Sequence, residues 1–369
     1  MFFNDVVGQK ELKKNLIKQV RSEKVPHAIL LNGKPGYGTL PLALAYAQYL
    51  LCENKTEEDS CGVCPSCIKT KELQHPDLHF SFPSIQAISK LSDVFLSEWR
   101  EIVHEKRYFD LYDWIKKIDP KERKPIIGVD ESKSILQKLS LKSFEGGYKI
   151  MLIWSLEAMH LSCSNKLLKI IEEPQPKTIF ILISASVENI LPTIISRVQL
   201  INVPKIEQEP LQRYLVDRLN MGEAPAQTKA AFSEGDLVSL ANEEGLIELH
   251  FDLFVKLMRI CYKKNVVEML NWAEEISGYT KEHQKTFISY SLHLFRMSIL
   301  NNYHQEKELF VSEKEMDFLS KFAVFISGNN IEIFMKKFDE AYRSIDRNAN
   351  TKILFSQLSF WVMRAIHRA

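Results

Sequence analysis

The segment Asn32-Gly33-Lys34-Pro35-Gly36-Tyr37-Gly38-Thr39-Leu40-Pro41-Leu42 constrains this chain more than any other stretch. It follows the apolar run Ala28-Ile29-Leu30-Leu31, which reads as a strand, and leads into residues 42–51, which read as an apolar helix. Pro41 falls in the first turn of that helix, where a missing N–H costs nothing because the donor has no intrahelical partner. Strand, glycine loop and helix together start a parallel α/β sheet. A working phosphate loop reads G-x-x-x-x-G-K-[ST], with backbone N–H groups cradling phosphate, a lysine neutralising it and a hydroxyl on Mg²⁺. Gly33 and Gly38 keep the spacing, with Gly36 between them, but Thr39 and Leu40 stand where the lysine and the hydroxyl belong. The frame is present without its charge. Gly33, Gly36, Gly38 and Thr39 are the residues of a degenerate cradle, and ATP is expected to bind weakly or not at all.

The rest of the chain extends this beginning. Residues 149–154 and 178–183 are short continuous apolar runs of the kind expected of strands covered on both faces. Helical spacing at 11–21, 129–141 and 165–173 supplies the alternating helices of a doubly wound sheet. After about residue 204 the pattern changes to helices alone, short at 211–219, 227–232 and 236–241, longer at 251–261, 266–276, 287–299 and 353–366. Three domains are expected, at 1–204, 205–246 and 247–369, which suits a chain of 369 residues. Residues 84–124 fit neither pattern. They carry Trp99, Tyr108, Phe109, Tyr112 and Trp114 among many charges, and read as an insertion that forms either a small satellite core or a partner-binding face.

With 48 Lys and Arg against 47 Asp and Glu, the chain lacks the overall basic field of a protein that holds nucleic acid unaided, although local basic patches are compatible with that balance. No signal peptide and no run of about eighteen apolar residues is seen, so a cytoplasmic address is expected. Six cysteines are present, four of them between positions 52 and 67, which suits a metal site in a reducing compartment better than a disulfide framework.

Three constellations carry chemistry. Cys52-x₈-Cys61-x₂-Cys64-x₂-Cys67 offers four thiolates, enough to close a tetrahedral Zn²⁺ shell and so to serve structure; the alternative is four unligated loop cysteines. A nucleotide-hydrolysing domain also needs carboxylates at the end of a strand. Here residues 149–154 are followed by Ser155 and Leu156, and the first carboxylate, Glu157, comes about one turn late and reads as a solvated helix-entry residue. Finally, Ser196-Arg197-Val198 follows the last apolar strand. Arg197 is either an ordinary surface residue or a group that reaches a neighbouring subunit's γ-phosphate in trans.

Several segments recur in one order: 3–9, 25–28, the four cysteines, His75-Pro76-Asp77-Leu78-His79, Phe144-Glu145-Gly146-Gly147-Tyr148-Lys149, residues 165–174 and 190–197. In that order they resemble the bacterial clamp-loader branch of AAA+ proteins, over most of 1–204. Loss of both nucleotide motifs is similar to the non-hydrolysing subunit of that branch rather than to its tau/gamma motor subunit. The resemblance implies an α/β AAA+ module, P-loop NTPase-like, with a zinc module at 52–67, followed by an all-α lid and an all-α collar. It implies a rigid stator in a ring of five with tau/gamma and delta subunits of DNA polymerase III. Primed DNA and a sliding clamp would be reached through the complex. It also implies that Arg197, beside Ser196, is an arginine finger for the adjacent motor subunit. Val198 stands where that family's motif has cysteine, and the collar is matched by order and helicity alone. The rival readings are an active tau/gamma-like ATPase with an atypical loop and an autonomous zinc-dependent DNA-binding protein.

Overall fold

Five parallel strands form one sheet in the order β2-β3-β4-β1-β5: β1 Ala28–Asn32, β2 Leu78–Ser81, β3 Lys149–Ile153, β4 Thr178–Ser184 and β5 Gln199–Asn202. This computed structural model describes residues 1–233, 235–241, 246–303, 313–328 and 330–367. They fold as two compact units, Met1–Tyr214 with Glu234–Val238, and Leu215–Ser233 with Ser239–Ala369.

Side chains alternate across a strand, so β1, β3 and β4 each feed two cores. Ile29, Leu31, Ile150, Leu152, Ile179, Ile181 and Ile183 point to one face, and Ala28, Leu30, Met151, Ile153, Phe180 and Leu182 to the other. The first face is covered by α1 (Lys10–Arg21) and α2 (Thr39–Leu51), the second by α6 (Val129–Ser140) and α7 (Leu161–Glu172). α3 (Pro65–Lys71) carries Cys67 and is capped at its N-terminus by Cys64. The helices expected at 11–21, 42–51, 129–141 and 165–173 are therefore present, and two strands join those expected. β2 is only four residues long, and β5 is a largely exposed edge strand without an apolar run.

The stretch 84–124 does not form a satellite core of its own. Its helices α4 (Leu96–Glu105) and α5 (Leu111–Ile118) and the connection between them drive Trp99, Trp114 and Phe109 into the main core. Trp99 stacks on Phe82 at 4.4 Å between ring centroids and meets Trp114 edge-on at 5.4 Å and Trp154 at 5.2 Å. The indole N–H of Trp114 donates to the Pro83 carbonyl at 2.8 Å. Aromatic pairs at these separations add to the area they bury, and here they close one face of the sheet.

Beyond the short α8 (Pro192–Ile195) the described elements are helices, apart from β5. They are α9 (Gln208–Leu219), α10 (Glu223–Phe232), α11 (Leu237–Ala241), α12 (Leu246–Tyr262), α13 (Val266–Ser277), α14 (Lys281–Asn302), α15 (Glu313–Phe322), α16 (Ile331–Asp346) and α17 (Thr351–Ile366). In the second unit α13 packs on α17 and α14 on α16 around Phe254, Trp272, Phe287, Phe295, Phe338 and Phe355.

Candidate functional site

The glycine loop leaves the C-terminal end of β1, between β4 and β5, and enters α2. In open α/β sheets that edge is where ligands sit. Gly38 caps α2 in the left-handed region at φ 91°, and the Gly33 N–H donates to the Ser184 carbonyl at 3.0 Å. The sequence-level frame is therefore built. Its donors are partly spent, because Pro35–Tyr37 forms a tight turn in which the Tyr37 N–H donates to Lys34 O and the Gly38 N–H to Pro35 O, at 3.0 and 3.1 Å.

Space is also taken. A Cβ at Gly36 would collide with the Asp236 carboxylate and fall 2.7 Å from the Val238 amide nitrogen. At Gly38 a Cβ would lie 3.3 Å from the Tyr108 ring, and Tyr108 Oη accepts the Val7 N–H at 2.8 Å. Gln9 fastens the loop from outside, its amide nitrogen donating to Tyr37 O at 3.0 Å and Pro204 O at 2.6 Å. Thr39, in the lysine position, is 1% exposed and packs near Gly33. Lys34 does not replace that lysine, since its ammonium lies over the Tyr37 ring, 5.9 Å from the centroid.

At the end of β3, where a magnesium-binding domain would place carboxylates, Trp154 belongs to the aromatic core and Ser155 takes a left-handed turn at φ 54°. Glu157 differs from its sequence reading. It is half-buried, and its carboxylate accepts from Ser184 Oγ at 2.7 Å and from the Ala185 N–H at 3.4 Å. Since Ser184 O also holds Gly33, this carboxylate stands one residue removed from the loop.

Arg197 follows α8 and precedes β5. Its Nε pairs with Glu172 at 2.7 Å, and Nη1 donates to Thr193 O at 3.0 Å and Ser196 Oγ at 3.3 Å. Gln199 pairs with Ile29 and Asn202 with Asn32, so Arg197 lies at the N-terminal edge of the sheet and the glycine loop at the C-terminal edge. Five residues of strand separate those edges by about 16 Å. Arg197 and its own chain's loop are thus at opposite ends of one strand pair.

The four cysteines come together, their Sγ atoms all within 4.8 Å of one another and none in a disulfide. Zn–S bonds of about 2.3 Å require S···S edges of about 3.8 Å, which this cluster fits. Backbone N–H groups of Cys61, Cys64 and Cys67 donate to Sγ of Cys52, Cys61 and Cys64 at 3.3 to 3.4 Å, which favours thiolates. At Cys61 such bonds, first from Val63 and then from Cys64, bring the thiol down to about 6, whereas burial raises Cys52 and Cys67. Asp59 accepts the N–H groups of Phe3 and Asn4 at 3.1 and 3.0 Å and so ties the module to the chain's start.

Tyr108, Asp236 and Ser184 escape sequence reasoning, because no motif marks them and only the fold brings them to the loop. The family described as "DNA polymerase III, delta subunit" matches residues 8–207 of the chain. A Pseudomonas aeruginosa protein named DNA polymerase III subunit delta' is 30% identical over 171 residues, 46% of this chain and 41% of that protein. An Escherichia coli protein of the same name is 26% identical over 50% of this chain and 44% of its own length. A Bacillus subtilis protein named DNA polymerase III subunit tau is 25% identical over 66% of this chain and 36% of its length. The chain thus matches less than half the length of these relatives.

Proposed function

The chain belongs to the DNA polymerase III, delta subunit family, and we propose that it acts there as a non-hydrolysing, delta-prime-type clamp-loader subunit whose Arg197 completes a neighbour's ATP site. The observation that carries this reading is the placement of Arg197, at the sheet edge opposite its own loop and with its guanidinium oriented by Glu172, Thr193 and Ser196. A side chain so placed serves a phosphate on another subunit or none, and an arginine acting in trans stabilises the charge of phosphoryl transfer.

The chain's own loop supports the other half of the reading. It lacks the lysine and the hydroxyl, spends two donors internally and carries Asp236 against Gly36. A carboxylate in that place disfavours a second anion. Zinc on Cys52, Cys61, Cys64 and Cys67 would supply a closed tetrahedral cross-link and no open position for chemistry. Residues 205–246 would act as a lid and 247–369 as the collar that joins tau/gamma and delta subunits in a ring, through which primed DNA and the sliding clamp are reached.

One observation favours the rival, an active tau/gamma-like ATPase, namely the nearness of Glu157 to the loop through Ser184. Reconstitution separates the two. The purified chain should turn over no ATP alone, co-purify with motor and clamp-opening subunits, and be required for loading a clamp onto primed DNA. Turnover by the lone chain at ordinary rates of about 1 s⁻¹ or more, or clamp loading that proceeds without it, would sink the proposal.

A further inference from the structure

We propose that the outer face of α1 is a contact for the phosphate backbone of duplex nucleic acid. Each of positions 10, 13, 14, 17, 18 and 21 has others of the set three or four residues away, so together they share one face of the helix. Five of the six are cations, Lys10, Lys13, Lys14, Lys18 and Arg21, and the face lines a cleft of about 700 Å³. In a chain whose charges nearly cancel, this is a local concentration of positive charge and not a reflection of composition.

The cations are not equally available. Lys13 Nζ donates to the Val6 carbonyl at 2.5 Å, and Arg21 pairs with Glu57 across the cleft at 3.2 Å. Among the described residues Lys14 meets only Glu11, an exposed pair at 3.2 Å and three residues apart, of a kind that contributes little and exchanges freely. The Lys10 and Lys18 side chains have no hydrogen bond or ion pair among the described residues. Three lysines in one row are therefore free to meet a repeated anion.

The lining selects among polyanions. Bases of a single strand need aromatic rings to stack on, and Phe3, the aromatic residue of this cleft, is 1% exposed and belongs to the core. A protein partner would need a buried anchor pocket, and the apolar contribution beyond Phe3 is the half-buried Ile17. A row of lysines with no exposed ring beside it fits phosphates, whose contacts position a duplex without reading its sequence. Glu58 on the far wall keeps the contact weak. The proposal does not rest on Arg197, which belongs to another element.

The test is fluorescence anisotropy of the full chain with a labelled mixed-sequence duplex across a salt series. Three phosphate contacts give a slope of about −2.7 in log K against log salt, or about a 40-fold loss between 50 and 200 mM. The triple reversal Lys10→Glu, Lys14→Glu, Lys18→Glu should flatten that slope and weaken binding more than tenfold at low salt, with an unchanged thermal melt. Reversal of the exposed Lys142, Lys263 and Lys336, equal in charge, should leave it intact. The proposal is overturned by absent binding at about 50 mM salt, by equal loss in both triple variants, by tighter binding of single strand than duplex, or by an α1 reversal that spares DNA and abolishes subunit co-purification.

Discussion

At the scale of single residues, the glycine loop is held by contacts that a side chain would break. Asp236 Oδ1 accepts the Val238 N–H at 3.1 Å, and the same carboxylate sits over Gly36. Gly36→Ala therefore forces residues 235–238 away from the loop, and overpacking of this kind costs about 1–3 kcal/mol. Urea unfolding of the first unit should show that loss, and adding Asp236→Gly should recover only the part due to the carboxylate, since the Val238 amide still crowds the new Cβ. Equal midpoints for wild type and Gly36→Ala would mean that Asp236 is not packed there. Tyr108 is the matching group on Gly38. Neither residue was legible in the sequence, since each reaches the loop through the fold, Asp236 from about 200 positions away.

At the scale of elements, legibility followed the range over which each element finds its partners. β1, β3 and β4 are apolar runs covered on both faces, and α2 carries its own start signal in Gly38 and Pro41, so local pattern sufficed. The aromatic stretch 84–124 looked like an addition because its helices answer to distant partners, Trp99 to Phe82 and Trp154. Trp114→Ala should accordingly cost about 3–5 kcal/mol, as expected of a core aromatic, where an appended loop would lose almost nothing. Thermal melting of the variant decides between them. In the cysteine module, spacing alone announced the cluster that the fold assembles. Elemental analysis is expected to find one zinc per chain and none in Cys64→Ser, with a lower melting temperature for the first unit; a metal-free wild-type chain of full stability would remove zinc from the account.

At the scale of the whole molecule, the second unit has an acid response of its own. His250 in the second unit is 1% exposed, lies beside Phe287 and Tyr290, and burial lowers its pKa to about 4. The unfolded chain binds a proton near pH 6.5 that the folded unit refuses, so stability contributed by neutral His250 is present above pH 6.5 and lost as pH falls toward 4. The full loss is at most about 3 kcal/mol. Replacing His250 by Phe should flatten that part of the pH profile of denaturant midpoints, and an unaltered profile would assign the acid response elsewhere.

The division between a closed cradle and an outward arginine is a property of the whole chain, and Arg197→Ala in the reconstituted complex tests it most directly. The account predicts normal assembly with the neighbour's DNA-stimulated ATPase reduced about 10³-fold or more. An assembled complex whose ATPase and clamp loading are those of the wild type would contradict it.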